Sequence, residues 1–230
     1  MKEDLYGKGL YRYYKGEHSL EFKLHNDYGS PEMMPIEVFF EGEDSISELE
    51  ELALENCKGK VLDIGAGAGR HSLILQDRGF DVKAIDISPL AVELMRERGV
   101  TQAEKADILT LGTEGKYDTL LLLMNGLGLA QKLDNVSELL NKLKQSLAPG
   151  GQIIFDSSDL AYLYENEPLP FDKYYGEVNF RYELDEEKGK WFGWVYVDPR
   201  TMKSLAEKAG FHFEILFVDD NDQYLAKLTL

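Results

Sequence analysis

Apolar positions along the 230-residue chain follow two different rhythms. From residue 44 to 159, and again after 199, short continuous apolar runs alternate with stretches at helical spacing. Val61 to Ile64 opens into glycines and predicts a strand at 60–65, followed by a helix at 69–79 closed by Gly79. A strand at 81–87 comes next, and Ser88-Pro89 reads as N-cap and first turn of a helix ended by Gly99. The third strand is short, near 101–106, and its connection to the apolar run Tyr117–Asn125 is too small and Gly-rich for a long helix. Asp134 is expected to cap a helix whose stripe is Val136, Leu139, Leu140, Leu143 and Leu147, with Pro149-Gly150-Gly151 ending it before a strand at 152–157. Asp198-Pro199 caps a helix to Gly210, and strands at 211–218 and 224–230 finish the chain. Upstream, Ser45-x-x-Glu48 has the form of a capping box, and Ile46, Leu49, Leu52 and Ala53 predict a helix to about Cys57.

Strand and helix therefore alternate unit by unit, and the uninterrupted Leu and Ile runs of the fourth and fifth strands indicate a sheet covered on both faces. The other two stretches break this rhythm. Residues 1–43 show no clean period, yet hold eight aromatics (Tyr6, Tyr11, Tyr13, Tyr14, Phe22, Tyr28, Phe39, Phe40), too many for a solvated tail, so an ordered amino-terminal flap is expected. Within 160–198, Val178, Phe180, Tyr182 and Leu184 alternate with Asn179, Arg181 and Glu183, and Trp191–Val197 is a second aromatic strand. A hairpin with its turn at 185–190 follows. The expectation is one domain over 1–230, with a core of 44–159 and 199–230 and an insertion at 160–198.

Composition narrows the function. A chain 43% hydrophobic can bury one sizeable core. A formal net charge of −17, with no cluster of Lys and Arg, argues against nucleic acid as a partner, because phosphate binding needs such a cluster. Cys57 has no partner within the chain, the amino terminus lacks an apolar signal region, and the longest apolar run, Leu120–Met124, cannot span a bilayer. A cytoplasmic protein without membrane contact is expected.

The candidate chemistry centres on Val61-Leu-Asp-Ile-Gly-Ala-Gly-Ala-Gly-Arg-His71. Glycines at 65, 67 and 69 let the backbone touch a ligand where a strand must turn sharply. Arg70 stands where the dinucleotide fingerprint wants a third glycine or alanine, which weakens a pyrophosphate reading. Asp63 beside the loop would repel phosphate and suit an ammonium. Asp86 closes the next strand, about 20 residues past the first glycine, where such folds place an acid on ribose hydroxyls. Ala106-Asp107-Ile108-Leu109 ends the third strand, with Asp107 able to accept from an exocyclic amine, and Leu147–Asp156 supplies a helix end, a tight turn and a buried strand.

Together these segments resemble the class I methyltransferases that use S-adenosylmethionine, over roughly residues 57–230. The resemblance implies an α/β, doubly wound, mostly parallel seven-stranded sheet whose last strand runs antiparallel. It implies S-adenosylmethionine as cofactor and S-adenosylhomocysteine as product. Gly65, Ala66 and Gly67 would contact the methionyl part, Asp63 its amino group, Asp86 the ribose diol, and Asp107 with Ile108 the adenine, on which Ile87 would pack. Asn125 would sit beside the methyl-transfer centre.

The Asn/Asp-Pro-Pro-aromatic signature of amino-group methylation in DNA and of glutamine is missing, since Asn125-Gly126-Leu127-Gly128 stands there. Cys57 precedes the first strand and does not suit a covalent nucleophile. No catalytic residue is assigned; Asn125 and His18 are the candidates, while His25, His71 and His212 read as structural or surface groups. No metal-ligand spacing is present. A small-molecule acceptor is expected, under a lid carrying Tyr11, Tyr14, Trp191 and Trp194, although the aromatic hairpin also reads as a dimer contact. The second reading of function is a methyltransferase-fold protein that binds the nucleoside or a protein partner without turnover, and the third a nicotinamide-dependent oxidoreductase.

Overall fold

A computed structural model describes residues 4–111, 116–165 and 168–230. The chain opens with α1 (Leu5–Tyr14), β1 (Phe22–Asn26) and the short β2 (Glu32–Met33). Then come α2 (Glu48–Glu55), β3 (Lys60–Ile64), α3 (Arg70–Asp77), β4 (Asp81–Asp86), α4 (Pro89–Arg98), β5 (Ala103–Lys105) and β6 (Tyr117–Leu122). After these follow α5 (Leu133–Ser146), β7 (Leu147–Ser158), β8 (Glu177–Leu184), β9 (Glu187–Lys188), β10 (Phe192–Val195), α6 (Pro199–Lys208), β11 (His212–Val218) and β12 (Gln223–Thr229).

The main sheet has seven strands in the order β11-β12-β7-β6-β3-β4-β5. β3 to β7 pair in parallel, and β12 runs antiparallel to both β7 and β11. The order reverses between β3 and β6, so the crevice beyond their carboxyl ends is the place where doubly wound sheets bind ligands. α5 covers one face: Val136, Leu139, Leu140 and Leu143 are fully buried, each side chain contributing roughly 1.5–3 kcal/mol by leaving water.

Two predicted boundaries move. The capping box is made by Ser47 and Glu50 instead of Ser45 and Glu48: the Ser47 hydroxyl accepts from the Glu50 N–H at 3.2 Å and the Glu50 carboxylate from the Ser47 N–H at 2.8 Å. Ser45 closes a preceding 3₁₀ turn, and its carbonyl accepts from Arg70. Both serines fit the pattern, and the register that buries Leu49, Ala53 and Leu54 decides between them. At the other boundary, α5 begins one residue before Asp134, which lies in its first turn and not at the cap, and ends at Ser146. Leu147 is extended and pairs with Tyr117. Leu147 is buried in the same core either way, so periodicity alone could not place it.

No helix appears among the described residues between β5 and β6; residues 112–115 lie outside them. The hairpin turn is tighter than 185–190, because Glu187 and Lys188 already pair back onto β8. No helix of the described residues is long and apolar enough to cross a membrane.

A second sheet runs β10-β8-β1-β2, with β9 also on β8. Its centre joins the flap to the insertion: β1 pairs antiparallel with β8, from Phe22 opposite Leu184 to Asn26 opposite Phe180. α1, which no periodicity announced, packs across α4. Gly7 and Gly9 weaken it by about 1 kcal/mol each relative to alanine, yet only glycine fits, since a Cβ on Gly9 would lie 2.8 Å from the Phe22 ring and one on Gly7 would overlap Ser88 and Asp4. The Asp4 carboxylate caps α1 through the Gly7 N–H at 2.9 Å and accepts from the Ser88 hydroxyl at 2.6 Å, binding the flap to the start of α4.

Candidate active site

After β3 the chain turns through Gly65, Gly67 and Gly69, all left-handed. A Cβ on Gly67 would stand 2.7 Å from the Tyr6 hydroxyl. Four of the five amides of the loop 65–69 are spent within the protein. Gly65 and Ala66 donate to the Ile85 carbonyl at 2.9 and 3.1 Å, Gly67 to the Asp86 carboxylate at 2.9 Å, and Gly69 to Ala66 at 2.8 Å. A phosphate cradle needs free N–H groups. With four of its donors occupied, and the Gly65 and Gly67 carbonyls accepting no hydrogen bond from the described residues, the loop suits an ammonium better than a phosphate.

Asp86 is 7% exposed, with its carboxylate held by the Gly67 and Ser88 N–H groups at 2.9 and 2.8 Å. Burial raises its pKa, and those two donors oppose the rise. The remaining lone pairs of its oxygens could accept from vicinal hydroxyls. Beside it, Ile87 leaves 62% of its surface uncovered, an apolar face free to pack on a ring. Asp107 is exposed and accepts from the Leu109 N–H at 2.9 Å, while Ile108 is buried. Asp63 is buried within β3, its pKa raised by burial, and it accepts from the Ser72 hydroxyl at 2.6 Å. It therefore fixes the first turn of α3 beneath the loop. These residues fit a nucleoside carrying an amino-acid chain: a glycine cradle that a side chain would fill, an oriented carboxylate and an open apolar face.

At the carboxyl end of β6, Met124 and Asn125 both have positive φ, 59° and 58°. Two successive non-glycine residues there cost of order 1–3 kcal/mol each and persist only when their surroundings impose it. Asp156 on β7 imposes it, its two oxygens accepting the Asn125 N–H at 3.0 and 2.9 Å while one also accepts from Gln223 at 2.7 Å. Burial pushes the Asp156 carboxyl up to about 6 against the pull of these donors. The Asn125 side-chain oxygen accepts from Ser158 at 3.1 Å, and its backbone carbonyl from the Trp194 indole at 3.1 Å. A Cβ on Gly128 would overlap that indole. The sequence quotes Asp156 only as the end of a strand; its role depends on β6 lying beside β7.

Of the lid candidates, Trp194 thus reaches the site edge. Trp191 is half exposed, with the Arg181 guanidinium 4.7 Å from its ring. Tyr11 donates to Glu97 at 2.7 Å, Tyr14 stacks on Phe40, and His18 is exposed against Tyr13. These four sit apart from the glycine loop. The aromatics that reach it are ones the sequence reading did not single out. Tyr6 stands over Gly67 and stacks on Tyr182 at 5.5 Å, Tyr182 meets Phe192 at 5.1 Å, and Phe192 meets Trp194 at 6.4 Å. One aromatic row therefore runs from the glycine loop to Asn125. Among the described residues no group of three or more His, Cys, Asp or Glu could hold a metal.

A glycine loop on the first core strand, an acid closing the second and an antiparallel terminal strand define the class I methyltransferase fold. The methyltransferase-domain family matches residues 41–214, and the chain belongs to it. It is similar to an S-adenosylmethionine-dependent methyltransferase from Bacteroides fragilis solved with S-adenosyl-L-homocysteine: 37% identity, 99% of this chain, 94% of that one, TM-score 0.92. Among curated proteins, it is 29% identical over 104 residues to the cypemycin N-terminal methyltransferase of a Streptomyces species and 26% identical over 105 residues to the putative methyltransferase YqeM of Bacillus subtilis. The matches cover 44% and 43% of this chain and 42% of each of those proteins, so the chain spans about two fifths of their length.

Proposed function

We propose that this protein transfers the methyl group of S-adenosylmethionine to a small-molecule acceptor by in-line displacement, beneath a lid made from the flap and the insertion. The sulfonium methyl is already electrophilic, so the protein's task is to align sulfur, carbon and nucleophile and to exclude water. Asp63, Gly65, Ala66, Gly67, Asp86, Ile87, Asp107, Ile108 and Asn125 form the cofactor site in this reading. Asp86 takes the ribose diol, Ile87 packs against the adenine, and Asn125 borders the transferred methyl.

One observation carries the proposal. Tyr6 of α1 lies against Gly67 and stacks on Tyr182 of the second sheet, and Trp194 of that sheet donates to Asn125, which supports a lid drawn from flap and insertion. An intact loop beneath an open surface would favour a binding protein without turnover; here Gly67 is buried beneath Tyr6, while Gly65 keeps exposed surface. The net charge of −17 speaks against nucleic acid as acceptor. The test is calorimetric titration of S-adenosylhomocysteine, followed by mass spectrometry of methylated products from a metabolite mixture. Saturable binding with a new product mass supports the reading. Binding with no methylated product across amines, alcohols, thiols and acids would return the protein to the non-catalytic class.

A further inference from the structure

The inner face of the second sheet carries information about the acceptor. On β8 the alternation sends Val178, Phe180, Tyr182 and Leu184 to one side and Asn179, Arg181 and Glu183 to the other. β1 repeats it: Phe22 and Asn26 are buried, whereas Lys23 and His25 stand opposite Glu183 and Arg181. On the outer face His25 bonds the Glu183 carboxylate at 2.6 Å, and the Arg181 guanidinium lies 4.7 Å from the centre of the Trp191 ring. The inner face is left with Tyr182, Phe192 and Trp194, joined by Tyr6 from α1 and by Tyr196, whose ring lies 6.4 Å from Phe180.

The surroundings of these rings add to this. Tyr6, Tyr182 and Tyr196 are surrounded by protein, which raises the pKa of each, yet all three keep accessible surface. Tyr6 and Tyr182 pack against the cluster around Phe22 and Leu184, and Phe192, Trp194 and Tyr196 against the one around Val178 and Phe180. None of the three tyrosine hydroxyls has a hydrogen-bond partner among the described residues, so each is available to a guest. The charges within reach are all negative, Asp4 and Asp86 acting on Tyr6 and Tyr182, and Asp156 on Tyr196. No histidine joins them: His18 is exposed against Tyr13, His25 is bound to Glu183, His71 is bound to Glu50 at 2.8 Å, and His212 is exposed at the start of β11.

Resting on the methyltransferase reading above, we infer that the acceptor atom is the nitrogen of a small aliphatic amine, received among Tyr6, Tyr182, Tyr196, Phe192 and Trp194. An ammonium is stabilised by aromatic faces and by nearby carboxylates, whereas a carboxylate or phosphate would meet like charge from Asp4, Asp86 and Asp156. The chemistry agrees. An alcohol must lose its proton as it attacks and needs a base. An amine in its free-base form attacks with a lone pair: the N–C bond forms, the C–S bond breaks, its electron pair stays on sulfur, and the resulting ammonium releases a proton to solvent.

The experiment uses the full chain in two stages. S-adenosylhomocysteine is titrated first; failure to bind would sink the cofactor reading and the acceptor class with it. The loaded protein is then titrated with benzyltrimethylammonium, benzyl alcohol and benzoate, following tryptophan fluorescence, and benzylamine is tested for methylation with S-adenosylmethionine by mass spectrometry. The expected result is saturable binding of the ammonium at least about tenfold tighter than benzoate, with N-methylbenzylamine as product. Tyr182→Phe and Tyr196→Phe should weaken ammonium binding a fewfold, and Phe192→Lys should reverse the preference toward benzoate, each with S-adenosylhomocysteine affinity retained as the check on folding. Equal or tighter binding of benzoate by the loaded wild-type protein, no ammonium binding, or methylation of benzyl alcohol in preference to benzylamine would overturn the inference while leaving the cofactor site intact.

Discussion

The two sheets of this protein were assembled by different means. The seven-stranded sheet grows from neighbouring βα units, and its parallel strands are apolar on both faces. The smaller sheet is joined across the chain, β1 to β8, with His25 meeting Glu183 over a separation of 158 residues, and only one of its faces is aromatic. In the proposed function the first builds a cofactor crevice at its topological switch, and the second roofs it. Cofactor affinity should therefore follow residues of the main sheet, and acceptor turnover those of the second.

The largest expected effect tests the meeting point of the two. Gly67→Val must adopt φ of +55° and displace the Tyr6 hydroxyl, so S-adenosylhomocysteine affinity should fall by more than about a hundredfold in calorimetry. Normal binding by a folded variant would remove the loop from the site.

Next in size is Asp156, the main-sheet residue that holds Asn125. Its folded pKa, raised to about 6 from an ordinary 3.8, means that the folded chain binds the proton more tightly than the unfolded one. That stability is complete below about pH 4 and is lost as pH rises through 6, about 3 kcal/mol in all. Asp156→Asn has no such loss, so its stability relative to wild type should improve by about that amount between pH 4 and 8 in denaturant titrations. A pH-independent difference would mean that Asp156 is not the buried carboxylate described here.

Asp86→Ala removes a charge-assisted acceptor and leaves the Gly67 and Ser88 N–H groups unpaired, which should weaken S-adenosylhomocysteine by about 1.5–3 kcal/mol, or ten- to a hundredfold. Trp194→Phe loses the bond to Asn125 but keeps a ring, so acceptor turnover should drop about tenfold with S-adenosylhomocysteine affinity nearly unchanged. Equal losses of both quantities would show that roof and crevice are not separable. The smallest effect is expected at Tyr14→Ala, whose ring rests on Phe40: turnover and cofactor affinity should stay within about twofold. A larger loss of turnover would extend the lid to the outer side of α1.

The main sheet was legible because each unit announces itself locally. Ser88 caps α4 through the Ala91 N–H with Pro89 following, Gly99 closes the same helix in the left-handed region, and Asp198-Pro199 starts α6, all within a few residues of sequence. The glycine loop, Asp86 and Asn125 could be marked as candidates because they stand at strand ends that periodicity locates. What the sequence by itself determined was this alternation and the two strands that end the chain, while the antiparallel close and the cofactor class were implied by the resemblance. Tertiary structure alone decided that β1 would lie against β8, that a glycine-weakened α1 would form and set Tyr6 over Gly67, and that Asp156 would grip a strained turn on the neighbouring strand. Caps, turns and periodicity are written in contiguous residues, whereas these contacts join segments distant in the chain, and their free energy exists only after the intervening topology has brought the partners together.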